Sequence, residues 1–265
     1  MQMRNYVKEK IEKNGFVIGS FIASSSPTNC EILGMNGFDF VIIDCEHAQT
    51  DAETVVNMVR ASEMYGMAPL VRVYNPYDGP AMSRMLDVGV HGVMVPLVND
   101  VPQAQNIVNN TKYAPVGKRG ANGGRGPRWG AYDDYVKVCN DNTLTIVQCE
   151  SLEGLHNVDE IAAMPGIDGI FIGTGDLSLE MGIKFKADSS ANHTVDSPEM
   201  IAAIDKVLLA CKRNGKIPGI VTASADDAAK RVKQGFQLVT CMNDLGFFCS
   251  RSKQHLNTIK ETIQK

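Results

Sequence analysis

No stretch of this sequence approaches the roughly 20 consecutive apolar residues that a membrane-spanning helix needs. The opening MQMRNYVKEKIEKNG is a polar, helix-like run rather than a secretory signal. The seven cysteines include no CxxC pair, and Cys45, Cys149 and Cys241 sit inside apolar, strand-like runs. That usage excludes a disulfide framework and predicts reduced thiols in a cytoplasmic protein. A net charge of −4 offers no basic surface for nucleic acid or an anionic membrane. No linker or low-complexity segment divides the chain, so residues 1–265 read as a single domain. The Walker spacing GxxxxGK[ST] is missing too. The basic, glycine-rich GKRGANGGRGPRWG (117–130) therefore reads as a lid or subunit contact that presents Arg119 to an anionic substrate.

What is present is a rhythm of short apolar runs. Eight stand out: Phe16–Ile22, Phe40–Asp44, Leu70–Val73, Gly92–Pro96, Leu144–Glu150, Gly169–Ile172, Pro218–Thr222 and Leu238–Met242. Most are continuous rather than alternating, as strands covered on both faces should be. Helix signals separate them. Thr50-Asp51-Ala52-Glu53 is a capping-box pattern whose helix should stop at Gly66, and Ser197-Pro198-Glu199 opens a helix that Gly215 ends. Ser224 to Gly235 repeats the design. SLEGLHNVDEIAAMPG (151–166) reads as one helix with Leu155, Val158, Ile161 and Ala162 on its apolar face. Eight strand–helix units in about 250 residues predict a (β/α)8 barrel, with an open doubly wound sheet as the competitor. Two connections, 97–143 and 173–197, are long enough to suggest functional loops.

The candidate chemistry collects where apolar runs end. TLTIVQCE closes at Glu150 and GIDGIFIGTGD at Asp176. If these two strands are parallel neighbours, they lie about 5 Å apart and both carboxylates emerge at one sheet edge. Two such acids without a cation would repel, and one would protonate. A hard divalent ion with two protein ligands, Mg2+, Mn2+ or Co2+, resolves the conflict and leaves room for water and substrate. In FDFVIIDCEHAQTD (38–51), Asp44 ends a strand and His47 follows on a βα loop, where a neutral imidazole can act as general base with Asp44 fixing its tautomer. Arg72 ends APLVR. It can pair with Asp44 or Glu46, hold a carbonyl oxygen in its planar fork, or do both. Gln148 shares a strand face with Glu150. By position alone, Asp87 belongs to the bottom or side of the barrel, and His91, His156 and His193 read as structural or solvated. No lysine ends an apolar strand. Lys216 should lie at the wrong face for a Schiff base, which leaves only Lys184 and Lys186 on a top loop.

FDFVIIDCEHAQTD, PLVRV, MLDVG…GVMVPLV, GKRG, VQCE and DGIFIGTGDLSLEMG together resemble the HpcH/HpaI aldolases, metal-dependent class II pyruvate aldolases, from about residue 15 to residue 250. The resemblance implies a (β/α)8 barrel, assembled as a hexamer (a trimer of dimers) with the last helix exchanged between subunits. It implies Glu150 and Asp176 as metal ligands, His47 as base, and Arg72 on the keto oxygen. Asp44 and Asp87 would orient the base and its water, Asp87 across a subunit interface. Gln148 and the backbone around Gly173 and Thr174 would line the oxo-acid pocket. The implied reaction is reversible retro-aldol cleavage of a 4-hydroxy-2-oxo acid to pyruvate and an aldehyde. The family commonly has Gly-Pro-Ala-Asp where this chain has Gly173-Thr174-Gly175-Asp176. That difference keeps an oxaloacetate decarboxylase or a condensing synthase that uses oxaloacetate in play, and a catalytically silent binder of 2-oxo acids is a separate alternative.

Overall fold

Along each apolar run, successive side chains must point to opposite faces of a sheet. In the computed structural model of the protein, which describes residues 1–183 and 196–264, these runs become eight parallel strands. They are β1 (Val17–Ile22), β2 (Phe40–Asp44), β3 (Ala68–Arg72), β4 (Gly92–Val95), β5 (Leu144–Cys149), β6 (Gly169–Ile172), β7 (Ile217–Thr222) and β8 (Leu238–Asn243). They close into a barrel in sequence order, with β8 returning to β1. The (β/α)8 expectation holds and the open sheet is excluded.

The helices are α1 (Tyr6–Asn14), α2 (Pro27–Met35), α3 (Ala52–Glu63), α4 (Gly79–Asp87), α5 (Val101–Thr111) and α6 (Tyr135–Asn142). After β5 come α7 (Leu152–His156), α8 (Val158–Ala163), α9 (Thr174–Glu180), α10 (Pro198–Asn214), α11 (Ala225–Gln234) and α12 (Asp244–Ile263). Two local expectations are corrected. The helix foreseen over 151–166 is two, because Asn157 leaves helical geometry and its side chain donates to the Asn99 carbonyl, 2.8 Å. The cap of α3 is Asp51, not Thr50; Asp51 accepts from the Thr54 N–H at 2.8 Å, while Thr50 is taken up by Ser25. The segment KFKADSSANH, with Lys184, Lys186 and His193, lies outside the described residues.

Alternation divides the core in two. Val41 and Ile43 face the helices, whereas Phe40 and Ile42 join Val17, Ala68, Leu70, Leu144, Ile146, Phe171 and Leu238 inside the barrel. Glycines make room for the two largest interior side chains. A Cβ at Gly19 would stand 2.5 Å from the Phe40 ring, and one at Gly219 would stand 2.5 Å from that of Phe171. The interior is therefore filled side chain by side chain rather than being a pore. The same parity, carried on to the C-terminal strand ends, aims Phe21, Asp44, Arg72, Gln148, Gly173 and Val221 into the barrel mouth.

Because Phe40 is fully buried against a glycine that cannot fill its space, Phe40→Ala should cost about 3–5 kcal/mol in urea unfolding. A loss under 1 kcal/mol would mean that the interior layer is loosely packed.

Candidate active site

The mouth at the C-terminal strand ends holds a cavity of about 370 Å³, lined by Asp44, His47, Arg72, Gln148, Glu150, Gly173, Gly175 and Asp176 among others. Strand register brings the groups together. Asp44 pairs with Arg72 across β2 and β3, and Cys149 pairs with Ile172 across β5 and β6, so that Glu150 and Gly173 emerge side by side. The approach is close: a Cβ on Gly173 would lie 2.5 Å from Glu150 Oε2.

Arg72 is the pivot of the charge network. Its Nε and Nη2 donate to the two oxygens of Asp44 at 3.0 and 2.7 Å, and Nη1 lies 3.0 Å from Glu46 Oε2. The guanidinium also sits over the Phe21 ring, 5.0 Å from its centroid. Burial works against its charge, but Asp44, Glu46 and Glu150 outweigh that and raise its pKa. The ion pair expected as Arg72's structural role is present, and the residue still lines the cavity.

The acids carry a load that this one cation does not lift. Glu150 is only 3% exposed. Oε1 accepts the Leu97 N–H at 2.7 Å and Oε2 accepts from Gln148 Nε2 at 2.7 Å. Burial, with Glu46 and Asp176 adding repulsion, nevertheless pushes its pKa up to about 7. Glu46 is pushed up to about 7 as well, by burial first and then by Asp44 and Asp176. Asp176 is different: it is exposed, in the first turn of α9, where the helix N-terminus favours a negative charge. The pair is therefore one buried and one open acid, not two buried ones.

Three expectations about the site need correction. Asp44 does not reach the His47 ring; its Oδ1 accepts the backbone N–H groups of Glu46 and His47 at 3.1 and 3.4 Å, shaping the loop instead. The imidazole, 66% exposed, has Glu46 as its nearest acid, 3.8 Å from Nε2. Thr174 is wholly buried and is not among the lining residues, although Gly173 and Gly175 on either side are. Arg119 is not presented to a substrate either: it is 5% exposed, bonds Asp87 at 2.8 Å and stacks over Tyr113.

Asp87, at the end of α4, is not among the cavity-lining residues of this chain. Together with Asn122 and Arg119 it anchors the glycine-rich loop. Glu63 does the same through Arg125 and Arg128 and also meets His91 at 3.3 Å. The histidine contact and those two cations hold its pKa down to about 2 despite burial. Lys216 donates to the Met164 and Ile167 carbonyls, at the opposite end of the barrel. Sequence reasoning passed over the cavity wall formed by Phe21, Val221 and Met242. Parity counted back from the interior residues of β1, β7 and β8 could have found it.

Comparison with known proteins identifies the family. The profile of the HpcH/HpaI aldolase/citrate lyase family matches residues 17–250. A 5-keto-4-deoxy-D-glucarate aldolase of Enterobacter sp. (strain 638) is 35% identical over 259 residues, 97% of each chain. The crystal structure of an HpcH/HpaI aldolase from Desulfitobacterium hafniense DCB-2 superposes with a TM-score of 0.89 at 27% identity, covering 98% of this chain and 97% of that one. The citrate synthase SbnG gives a TM-score of 0.85, also at 27% identity, over 97% and 98% of the two chains. The chain belongs to the HpcH/HpaI aldolase/citrate lyase family.

Proposed function

We propose that this protein is a divalent-cation-dependent carbon–carbon lyase that reversibly cleaves a 4-hydroxy-2-oxo acid to pyruvate and an aldehyde. One observation carries the reading: His47, Arg72, Glu150 and Asp176, drawn from four different strand ends, line the same cavity. The aldolase named among its relatives points the same way.

The donor set fits a hard cation such as Mg2+, Mn2+ or Co2+. Glu150 and Asp176 line one space, and the raised pKa of Glu150 reflects burial first and then the charges of Glu46 and Asp176, which a cation would offset. Among the described residues, no group of three or more His, Cys, Asp or Glu side chains is arranged to hold a metal by itself. The remaining ligands would come from substrate and water. When bound, such an ion supplies Lewis acidity toward the carboxylate and keto oxygens of a 2-oxo acid.

The chain's own residues would do the rest. Glu150 and Asp176 hold the ion. Gln148 keeps Glu150 aimed through the 2.7 Å bond from its amide. Arg72, fixed by Asp44, offers N–H donors to the oxygen on which negative charge develops as the C3–C4 bond breaks. His47 removes the proton of the C4 hydroxyl, and Glu46 beside it stabilises the resulting imidazolium. Asp87 serves the site, if at all, from a neighbouring subunit. A homo-oligomer is supported by α12, whose exposed Leu245, Phe248, Leu256, Ile259 and Ile263 need a cover, and by exposed Ile32, Met35, Met64 and Tyr65 on α2 and just beyond α3. Exchange of the last helix between subunits would meet both needs.

The direct test is cleavage of 4-hydroxy-2-oxo acids, followed as pyruvate release. Chelation with EDTA should abolish turnover and Mn2+ or Mg2+ should restore it. His47→Ala should lower kcat by about 10²–10⁴-fold with circular dichroism unchanged. Full activity in EDTA, or borohydride trapping of pyruvate on a lysine, would defeat the reading. A pyruvate-binding His47→Ala protein that lost no turnover would instead favour the silent binder.

Linkage gives a second expectation. Glu150 rises from 4.5 to about 7 in the folded chain, so its contribution to stability is present below pH 4.5 and is lost as pH climbs through 7. The loss is on the order of 3 kcal/mol. In EDTA the thermal midpoint should therefore fall between pH 5 and pH 8. A divalent ion should raise it at pH 8 and hardly at pH 5, because only the carboxylate binds; equal stabilisation at both pH values would contradict the assignment.

Finally, Gly173→Ala would place a methyl 2.5 Å from Glu150 Oε2 and 2.8 Å from its Cβ. The variant should fold but bind Mn2+ at least tenfold more weakly by calorimetry, a difference of about 1.4 kcal/mol or more. Unchanged affinity would place the ion elsewhere.

A further inference from the structure

The closing strand of the barrel is irregular. Thr240 of β8 pairs with Gly19 of β1, but the next pair is Phe21 with Asn243, so β8 spends three steps where β1 spends two. The extra residue makes a bulge, and inside it Met242 adopts a left-handed backbone, φ 56°. For a residue with a Cβ that conformation is strained, and glycine would avoid the strain. Bulges at barrel rims re-aim side chains near active sites. Here the strained methionine is half-buried and lines the same cavity as Glu150 and Arg72.

The cavity wall has two chemically distinct arcs. Every charged lining residue comes from the β2, β3, β5 and β6 ends: Asp44, Arg72, Glu150 and Asp176. On the contiguous arc from β7 through β8 to β1, the described lining residues carry no charge, and Phe21, Val221, Ala223 and Met242 make it largely apolar. We infer that Met242 is a specificity-determining residue: with Phe21 and Val221 it seats the substituent of the aldehyde half, selecting an uncharged, short aliphatic aldehyde over one that bears a carboxylate. This rests on the proposed lyase function. Beside Val221 and Met242, a second carboxylate would be desolvated with no charged lining residue of that arc to pair with, among the described residues. A flexible thioether, by contrast, packs well against a small alkyl group.

The experiment compares butanal with succinic semialdehyde, two four-carbon aldehydes that differ in the terminal carboxylate, as acceptors for pyruvate with Mn2+. Each rate is normalised to the same variant's exchange of pyruvate methyl protons with solvent, read by NMR. The wild-type protein should favour butanal by about tenfold or more in kcat/KM. Met242→Gly, which accepts the left-handed backbone without strain, should reduce that preference at least threefold. Equal use of the two aldehydes by the wild type, or an unchanged ratio in Met242→Gly, overturns the assignment while leaving the lyase intact. Absence of pyruvate exchange in the wild type overturns the lyase itself, and this assignment with it.

Discussion

The site depends on one guanidinium shared among too many carboxylates. Arg72 is held by both oxygens of Asp44 and approached by Glu46, and it feels Glu150 as well. Asp44 and Arg72 end neighbouring parallel strands in direct register, so closing the sheet forces the pair together. The pairing fixes the fork, and through the Glu46 and His47 amides it also fixes the loop that carries the histidine. It does not balance the charge. Glu46 and Glu150 are both driven up to about 7, because burial removes water and neighbouring acids add repulsion that Arg72 does not offset.

Most of the barrel was readable because parallel strands covered on both faces must be continuously apolar. Six of the eight starts and ends foreseen at β2, β4, β5 and β6 agree with the structure to the residue; the ends of β4 and β5, and the boundaries missed at β1, β3, β7 and β8, are shifts of one or two positions. Such shifts are expected where apolar residues fray into turns. Local competition was harder to see. Thr50 and Asp51 both suit a cap, and the choice turned on Ser25 drawing Thr50 away, a contact 25 residues distant in sequence. The break at Asn157 likewise depends on Asn99, which no local pattern reveals.

At the site, membership was legible and pairing was not. A carboxylate or guanidinium that closes a buried run announces itself, so Asp44, Arg72, Glu150 and Asp176 could be named from order alone. Which oxygen meets which nitrogen is a matter of register and side-chain reach. Asp44 was expected at the imidazole, but its opposite number across β2 and β3 is a bidentate donor with a stronger claim. Arg119 was expected at the substrate because its surroundings are rich in glycine and arginine. Those arginines instead serve as anchors, with Asp87 and Glu63 drawing three of them inward and tying the loop to α3 and α4.

The division of the mouth into a charged and an apolar arc follows from the same geometry. Closing eight strands in order gives each strand end one inward position, and chemistry needs only some of them. β2, β3, β5 and β6 hold the groups whose charges must act together, and their spacing is constrained by mutual repulsion and attraction. β7 and β8 are free of that constraint, so their inward residues can vary without disturbing Glu150 or Arg72, whereas Phe21 of β1 lies against the Arg72 guanidinium. The bulge at Met242 belongs to this freer arc. Backbone strain placed there leaves the register of the charged strands intact, since the slip is confined to the β8–β1 seam. A barrel arranged in this way can change what it accepts at one side of the mouth while keeping, at the other, the acids and the fork that any 2-oxo acid would require.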